Sequence, residues 1–100
     1  MVKHSLYVQL EAKPGKGPDV ENFLADALPM VQRESGTVTW YALKMGSTTF
    51  AIFDTFEDES GRDAHLKGEV AAALKEKADE LFAKPLDIHK IDVIGAKVPD

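Results

Sequence analysis

The sequence predicts an α+β fold of the ferredoxin-like type, with strands and helices in the order β-α-β-β-α-β. Four segments have the composition and alternation of strands, and two regions have the apolar spacing of helices. Gly46-Ser47 separates the second and third strand segments, which is a hairpin signal. Such a chain forms one antiparallel four-stranded sheet with its helices on a single face.

The first strand is predicted over residues 4–12, where Leu6, Val8 and Leu10 alternate with Tyr7 and Gln9. A loop rich in Lys, Pro and Gly follows at residues 13–17.

The first helix begins at Pro18, a residue that suits the first helical position. Its apolar stripe has helical spacing and consists of Val20, Phe23, Leu24, Ala27, Leu28 and Val31. Pro29 is expected to kink this helix, and Gly36 is expected to end it in a left-handed conformation.

Residues 37–45 and 48–56 are predicted as the second and third strands because they are rich in β-branched and aromatic residues. Asp58 is a suitable N-cap for a short helix that runs through His65 and Leu66. Gly68 interrupts the helical region before a second stripe, formed by Val70, Leu74, Ala78, Leu81 and Phe82. Pro85 ends this helix, and residues 88–98 are predicted as the last strand.

The middle strands are apolar on both sides. In the third strand Phe50 and Ile52 have one parity while Ala51 and Phe53 have the other. Strands that are apolar on both faces are normally covered on both. Two helical regions cover only one face, so we expect a homodimer in which the same surface of two chains meets and a dimeric α/β barrel forms.

The composition limits the class of protein. One hundred residues predict a single domain, and the absence of cysteine excludes disulfides and thiolate chemistry. A net charge of −5 with interleaved lysines and acids argues against a nucleic-acid partner. No apolar run approaches the length of a membrane span, so no membrane partner and a cytoplasmic location are expected.

Two residues are candidates for acid–base chemistry. His65 has a side chain that titrates near neutral pH, although a helix histidine is somewhat more often a structural hydrogen-bonding group than a catalytic one. Asp54 interrupts an apolar strand, and a buried carboxylate there needs a partner such as His65 or Arg62. A structural link between strand and helix is an equally good interpretation of Asp54.

A second group of residues is suited to binding a flat ring. Trp40, Tyr41 and Tyr7 offer ring faces with polar handles, and Gln9 offers an amide of the same parity as Tyr7. Each of the three aromatic residues is more often simply part of a core. The histidines are too far apart in sequence to form a spaced pair of ligands, so no metal site is predicted.

Four stretches, residues 11–16, 34–41, 50–59 and 62–66, together resemble the antibiotic biosynthesis monooxygenase-like family. The most characteristic feature is an acidic residue in the third strand followed by a helix with the sequence Ala-His-Leu, here Ala64 to Leu66. The resemblance covers nearly the whole chain and implies ferredoxin-like subunits that pair into a dimeric barrel.

The resemblance also implies a function. Characterised members of the family oxidise small phenol- or quinol-like substrates with molecular oxygen and without a bound cofactor. It implies that His65 is the acid–base group or a hydrogen-bonding partner of the substrate, that Asp54 orients it, and that Trp40, Tyr41, Tyr7 and Phe53 shape the pocket. Relatives that degrade haem need a histidine in the helix after His65, where this chain has alanines. A non-catalytic small-molecule binder, an isomerase or cyclase of polyketide-like compounds and a structural dimerisation module remain alternatives.

Overall fold

The computed structural model describes residues 1–99, and within them the chain forms four strands and three helices. Their order confirms the predicted one, with the second helical region in two pieces. The elements are β1 (His4–Glu11), α1 (Gly17–Gln32), β2 (Thr37–Lys44), β3 (Thr49–Phe56), α2 (Glu59–Leu66), α3 (Glu69–Leu81) and β4 (Asp87–Asp92).

The strands form one antiparallel sheet in the order β2-β3-β1-β4, which confirms the ferredoxin-like arrangement. In this order the first and third strands are central, and each crossover carries helices. Leu6 lies opposite Asp54, and Val8 lies opposite Ile52. Because directly opposed side chains point to the same face, these four residues share one face of the sheet.

All three helices pack on this face, which we call the helix face. The core between the layers contains Val8 and Ile52 from the sheet, Val20 and Leu24 from α1, and Leu74 from α3. The helices therefore bury most of the apolar stripes that the sequence predicted, but Leu28, which was placed in the stripe of α1, is exposed. α2 and α3 bring their buried sides against Asp54 and its neighbours.

The opposite face of the sheet, which we call the open face, is covered by no helix of the described chain. Tyr41 pairs with Phe53 and Leu43 with Ala51 on this side. Tyr41 is 51% exposed and Leu43 is 41% exposed. The prediction that the middle strands are apolar on both sides is therefore confirmed.

Asp58 caps α2 as predicted, because its Oδ1 atom accepts a hydrogen bond of 2.8 Å from the backbone N–H of Gly61. Pro29 lies inside α1, and the helix continues past it to Gln32. Gly68 is the N-cap of α3 and separates the two pieces of the second helical region.

The prediction for Gly36 was wrong. Gly15 has the only positive φ among residues 1–99, and α1 ends in a right-handed conformation at Arg33. Gly36 instead lies against α2, where an added Cβ would be 3.0 Å from the Cα of Gly61. Close approach of two backbones, and not a left-handed turn, is what requires a glycine at this position.

The predicted last strand was too long. It ends at Asp92 instead of residue 98, because Asp92 pairs with His4, the first residue of β1. Beyond this pair, the N–H of Val93 still donates to the carbonyl of Lys3. The other strand ends differ from prediction by one residue; for example, Ala12 lies just outside β1 in an isolated bridge with Phe82.

Candidate functional site

The fold brings His65 and Asp54 together. His65 lies on the side of α2 that faces the sheet, and Asp54 points from β3 toward it. Nε2 of the His65 ring is 3.0 Å from Oδ2 of Asp54, and the two side chains are 8% and 1% exposed. Of the two helix residues proposed as partners of Asp54, His65 is thus the one that contacts it.

A second carboxylate contacts the other ring nitrogen of His65. Oε1 of Glu34, in the loop between α1 and β2, is 2.5 Å from Nδ1, and the Glu34 side chain is 18% exposed. Thr37 donates a hydrogen bond of 2.8 Å to the same oxygen and holds it in place. His65 therefore lies between two carboxylates, one on each side of its ring.

The cluster is closely packed. The ring of His65 lies 5.5 Å from that of the fully buried Phe56, measured between centroids. An added Cβ on Gly68 would lie 2.9 Å from Oε2 of Glu34, so the absence of a side chain at Gly68 gives the carboxylate its space. Oε2 of Glu34 is buried without a hydrogen-bond partner.

The surroundings change the pKa values of both His65 and Asp54. Burial acts to lower the pKa of His65, but the contacts with Asp54 and Glu34 outweigh it, so this pKa lies above its ordinary value. Burial raises the pKa of Asp54 above its ordinary value, and the contact with His65 opposes this effect only in part. The raised pKa of His65 favours a charged imidazolium at neutral pH.

The contact with His65 leaves Asp54 able to accept a further proton or hydrogen bond. Oδ2 of Asp54 lies 3.0 Å from Nε2 of His65, whereas Oδ1 of Asp54 is buried without a hydrogen-bond partner. Lone pairs of a buried carboxylate are costly to leave unused. The Asp54 carboxylate is therefore suited to accept a proton or a hydrogen bond from a small molecule.

An apolar cavity of about 280 Å³ lies between the sheet and the helices, and both His65 and Asp54 line it. The rest of its wall is mainly aliphatic and consists of Leu6, Val8, Ile52, Leu66, Val70, Ala71, Leu74, Leu86 and Ile88, with Lys75 as the remaining residue. We call it the inner cavity. The inner cavity is therefore a mainly apolar space with one acid–base pair, His65 and Asp54, in its wall.

A second cavity, of about 340 Å³, lies on the other side of His65 and is more open to solvent. Its lining includes Glu34, Arg33 and Glu69, together with the backbone of Gly36 and Gly61. We call it the outer cavity. His65 lines both cavities, so its ring lies between the apolar interior and a polar region near the surface.

Trp40 and Arg62 lie near this cluster but outside the inner cavity. Trp40 is opposite Asp54 in the sheet register and points to the helix face, where its indole contacts the core and its Nε1 is buried without a partner. Arg62 is buried on α2, and its Nη1 donates to the backbone carbonyl of Ser5 at 3.4 Å. Arg62 thus does not pair with Asp54.

Four other predicted site residues lie on the open face, away from His65. Tyr7 is opposite Phe53, Phe53 is opposite Tyr41, and Gln9 is opposite Ala51. The hydroxyl of Tyr7 donates to the sulfur of Met45 at 3.7 Å on the same side. Within one chain, the structure does not bring these side chains into one pocket with His65 and Asp54.

Sequence reasoning did not identify Glu34 or the aliphatic cavity wall. Glu34 stands in a short loop with no periodic pattern, so nothing local indicates that its side chain turns inward. The apolar stripe of α3, with Val70 and Leu74, did predict burial, but not the space left beneath it.

Residues 1–99 contain neither a cluster of metal ligands nor a helix that could span a membrane. Among residues 1–99, no group of three or more His, Asp or Glu side chains could hold a metal ion. This includes the cluster at His65, whose carboxylates contact opposite ring nitrogens and so do not converge. Over the same residues, every helix is too short or too polar to cross a membrane.

Comparison with known proteins gives a relative of high identity. The NE2512 protein of unknown function from Nitrosomonas europaea is 50% identical, with a TM-score of 0.99, and the alignment covers 100% of this chain and 97% of that one. No family model matches the chain. No curated protein matches it either.

More distant structures share the fold. A proposed antibiotic biosynthesis monooxygenase from Nitrosomonas europaea has a TM-score of 0.81 at 14% identity, over 92% of this chain and 90% of that one. A further structure, named antibiotic biosynthesis monooxygenase, has a TM-score of 0.77 at 13% identity, over 92% and 99% of the two chains. The resemblance predicted from the sequence is confirmed at the level of the fold. The chain therefore belongs to the same family as the NE2512 protein and has the antibiotic biosynthesis monooxygenase-like fold.

Proposed function

We propose that the protein is a cofactor-independent monooxygenase that oxidises a small phenol- or quinol-like compound with molecular oxygen. The observation that carries this proposal is the pair of His65 and Asp54 in the wall of the apolar inner cavity. An acid–base pair at the wall of an apolar space is suited to removing a proton from a bound ring. The names of two structures with the same fold support a monooxygenase reaction.

The reaction needs no further reductant. Loss of the hydroxyl proton gives an electron-rich phenolate, which transfers electrons to oxygen while a carbon–oxygen bond forms. Elimination of water from the resulting hydroperoxide gives a quinone, so one oxygen atom enters the product and the other leaves as water. The ring itself supplies all the electrons, and the protein binds it, accepts the proton and stabilises the anion.

The cavity volume limits the size of the substrate. An engineered apolar cavity of about 150 Å³ binds benzene, and typical small-molecule pockets begin at about 300 Å³. A volume of about 280 Å³ therefore fits one substituted ring. The aliphatic side chains of the wall would hold the ring through apolar contact.

The protein in this proposal acts as a homodimer. Two open faces would pack together and bury Tyr41, Leu43 and their neighbours, which are exposed in the single chain. Tyr7, Phe53 and Gln9 would then lie in the interface between subunits and stabilise the barrel, while each subunit keeps its own inner cavity.

Oxygen uptake with a panel of single-ring quinols and phenols tests the function. We expect uptake with quinone as the product, and a loss of about 10²-fold or more in kcat/KM in His65→Ala, in line with the usual contribution of an acid–base group. Equal rates in the wild type and His65→Ala would remove His65 from the mechanism. Thermal melting of both proteins checks that the variant is folded.

A matched pair of alanine substitutions tests whether the inner cavity is the binding site. Ala71 lines the cavity, whereas Ala72 is exposed on the next position of α3. Ala71→Leu should fill the cavity and abolish ring binding, and Ala72→Leu should leave binding unchanged. Binding can be followed by the rise in melting temperature that a ligand of the native state produces. Equal binding by both variants would place the substrate elsewhere.

A further inference from the structure

The contacts of His65 determine which of its two ring nitrogens can accept a proton. A neutral imidazole has one donor and one acceptor nitrogen, whereas an imidazolium has two donors. Nδ1 is 2.5 Å from a carboxylate oxygen of Glu34, and Nε2 is 3.0 Å from one of Asp54. Because carboxylates only accept, both nitrogens must carry protons for both contacts to be favourable.

An imidazolium cannot act as the first proton acceptor for a substrate in the inner cavity. Asp54 is the carboxylate in that wall, and its Oδ1 is buried without a hydrogen-bond partner. Glu34 does not line the inner cavity and reaches the site only through the imidazole ring. The geometry therefore gives the two carboxylates different tasks.

We propose that Glu34 is a positioning residue that holds His65 as a doubly protonated imidazolium, so that Asp54, and not His65, accepts the proton of the substrate. This inference rests on the proposed function. In the step, the oxygen–hydrogen bond of the substrate hydroxyl breaks, a bond forms between that proton and Oδ1 of Asp54, and the electron pair stays on the substrate oxygen. The positive charge of His65 stabilises the phenolate that results.

Other charged groups surround His65, and they identify a matched control. Arg33 and Glu69 line the outer cavity with Glu34, and they pair with each other at 2.9 Å near the surface. Lys75 lines the inner cavity from α3, and Arg62 lies on α2 with His65. Among the charged groups around His65, Glu34 and Asp54 are the two that contact its imidazole ring. Glu69→Gln thus removes a carboxylate from the same cavity without touching His65.

Nitrogen NMR of histidine-labelled protein tests the charge on His65 without any substrate. In the wild type near pH 7, both ring nitrogens of His65 should carry protons. Glu34→Gln should move the deprotonation of His65 to lower pH, since one of its two anionic partners is gone, and Glu69→Gln should leave it unchanged. A singly protonated ring in the wild type near pH 7 would overturn the proposal, and this measurement needs no variant to fold. An equal response of the two variants would also overturn it.

The pH profile of oxygen uptake tests the role of Asp54. We expect a bell-shaped kcat/KM, whose acidic limb reports Asp54 and whose alkaline limb reports His65. Glu34→Gln should move the alkaline limb to lower pH, and Asp54→Asn should lower kcat/KM by about 10²–10⁴-fold, the usual contribution of a proton acceptor. Full activity in Asp54→Asn would overturn the assignment of Asp54.

The two kinds of failure can be told apart. If no compound in the panel is oxidised while the NMR titrations give the expected result, the proposed reaction fails and the positioning of His65 by Glu34 stands. If oxygen uptake occurs but Glu34→Gln changes neither the titration nor the alkaline limb, the reaction stands and the role of Glu34 fails.

Discussion

At the scale of single residues, the charge of His65 should give the protein a specific pH dependence of stability. The pKa of His65 is higher in the folded chain than its ordinary value of 6.5. The stabilisation that charged His65 gives to the folded state is therefore complete below about pH 6.5. It is lost as the pH rises through the pKa that His65 has in the folded chain. Urea unfolding at several pH values should show this decline in the wild type and not in His65→Gln. His89→Gln, at an exposed histidine, should decline as the wild type does, and a parallel decline in His65→Gln would contradict the prediction.

The residues of this site differ in how far the sequence could predict them. Asp54 was identifiable because a carboxylate in an apolar strand needs a partner, and His65 was one helix away. Alternation along β3 also separates Phe53 from Asp54, since adjacent strand residues point to opposite faces. Which face the helices cover, and which strands lie side by side, depends on long-range pairing that no local pattern contains. The inward turn of Glu34 depends on loop packing against α2.

At the scale of elements, the contact between α2 and the loop before β2 should set the position of His65. An added Cβ on Gly61 would lie 2.8 Å from the backbone carbonyl of Gly36, so one of the two segments must move. Overpacking of this kind costs about 1–3 kcal/mol, and alanine gains only about 0.5–1 kcal/mol over glycine in a helix. We expect Gly61→Ala to lower the free energy of unfolding by roughly 1 kcal/mol, as the difference of these two effects.

Gly46→Ala is the control for this contact, because nothing lies within 4 Å of an added Cβ at Gly46. It should leave the free energy of unfolding, measured in urea, almost unchanged. If Gly61→Ala proves more stable than the wild type, helix propensity outweighs the contact, and α2 is not held by close approach to the loop before β2.

At the scale of the whole molecule, the sheet separates two kinds of surface. The helix face holds the inner cavity and its acid–base pair, whereas the open face carries aromatic and aliphatic side chains with no helix above them. The sequence predicted both faces from strand composition alone, because apolar residues of both parities occur in β2 and β3. It could not show which site residues of different strands share a face, since this follows from the register that places Tyr7 beside Phe53 and Phe53 beside Tyr41.

The open face should decide the oligomeric state, and two leucines of similar exposure provide the test. Leu43 is 41% exposed on the open face, and Leu28 is 44% exposed on α1. If two open faces pack together, Leu43→Lys places two charges in the interface and should convert a dimer to a monomer in analytical ultracentrifugation at micromolar concentration, whereas Leu28→Lys should remain dimeric. The melting temperature of the wild type should also rise with protein concentration, because association stabilises the folded state, and that of Leu43→Lys should not. A wild type that sediments as a monomer over this range would mean that the open face meets solvent in the working protein, and the barrel arrangement would then be wrong even though the fold of each chain is unchanged.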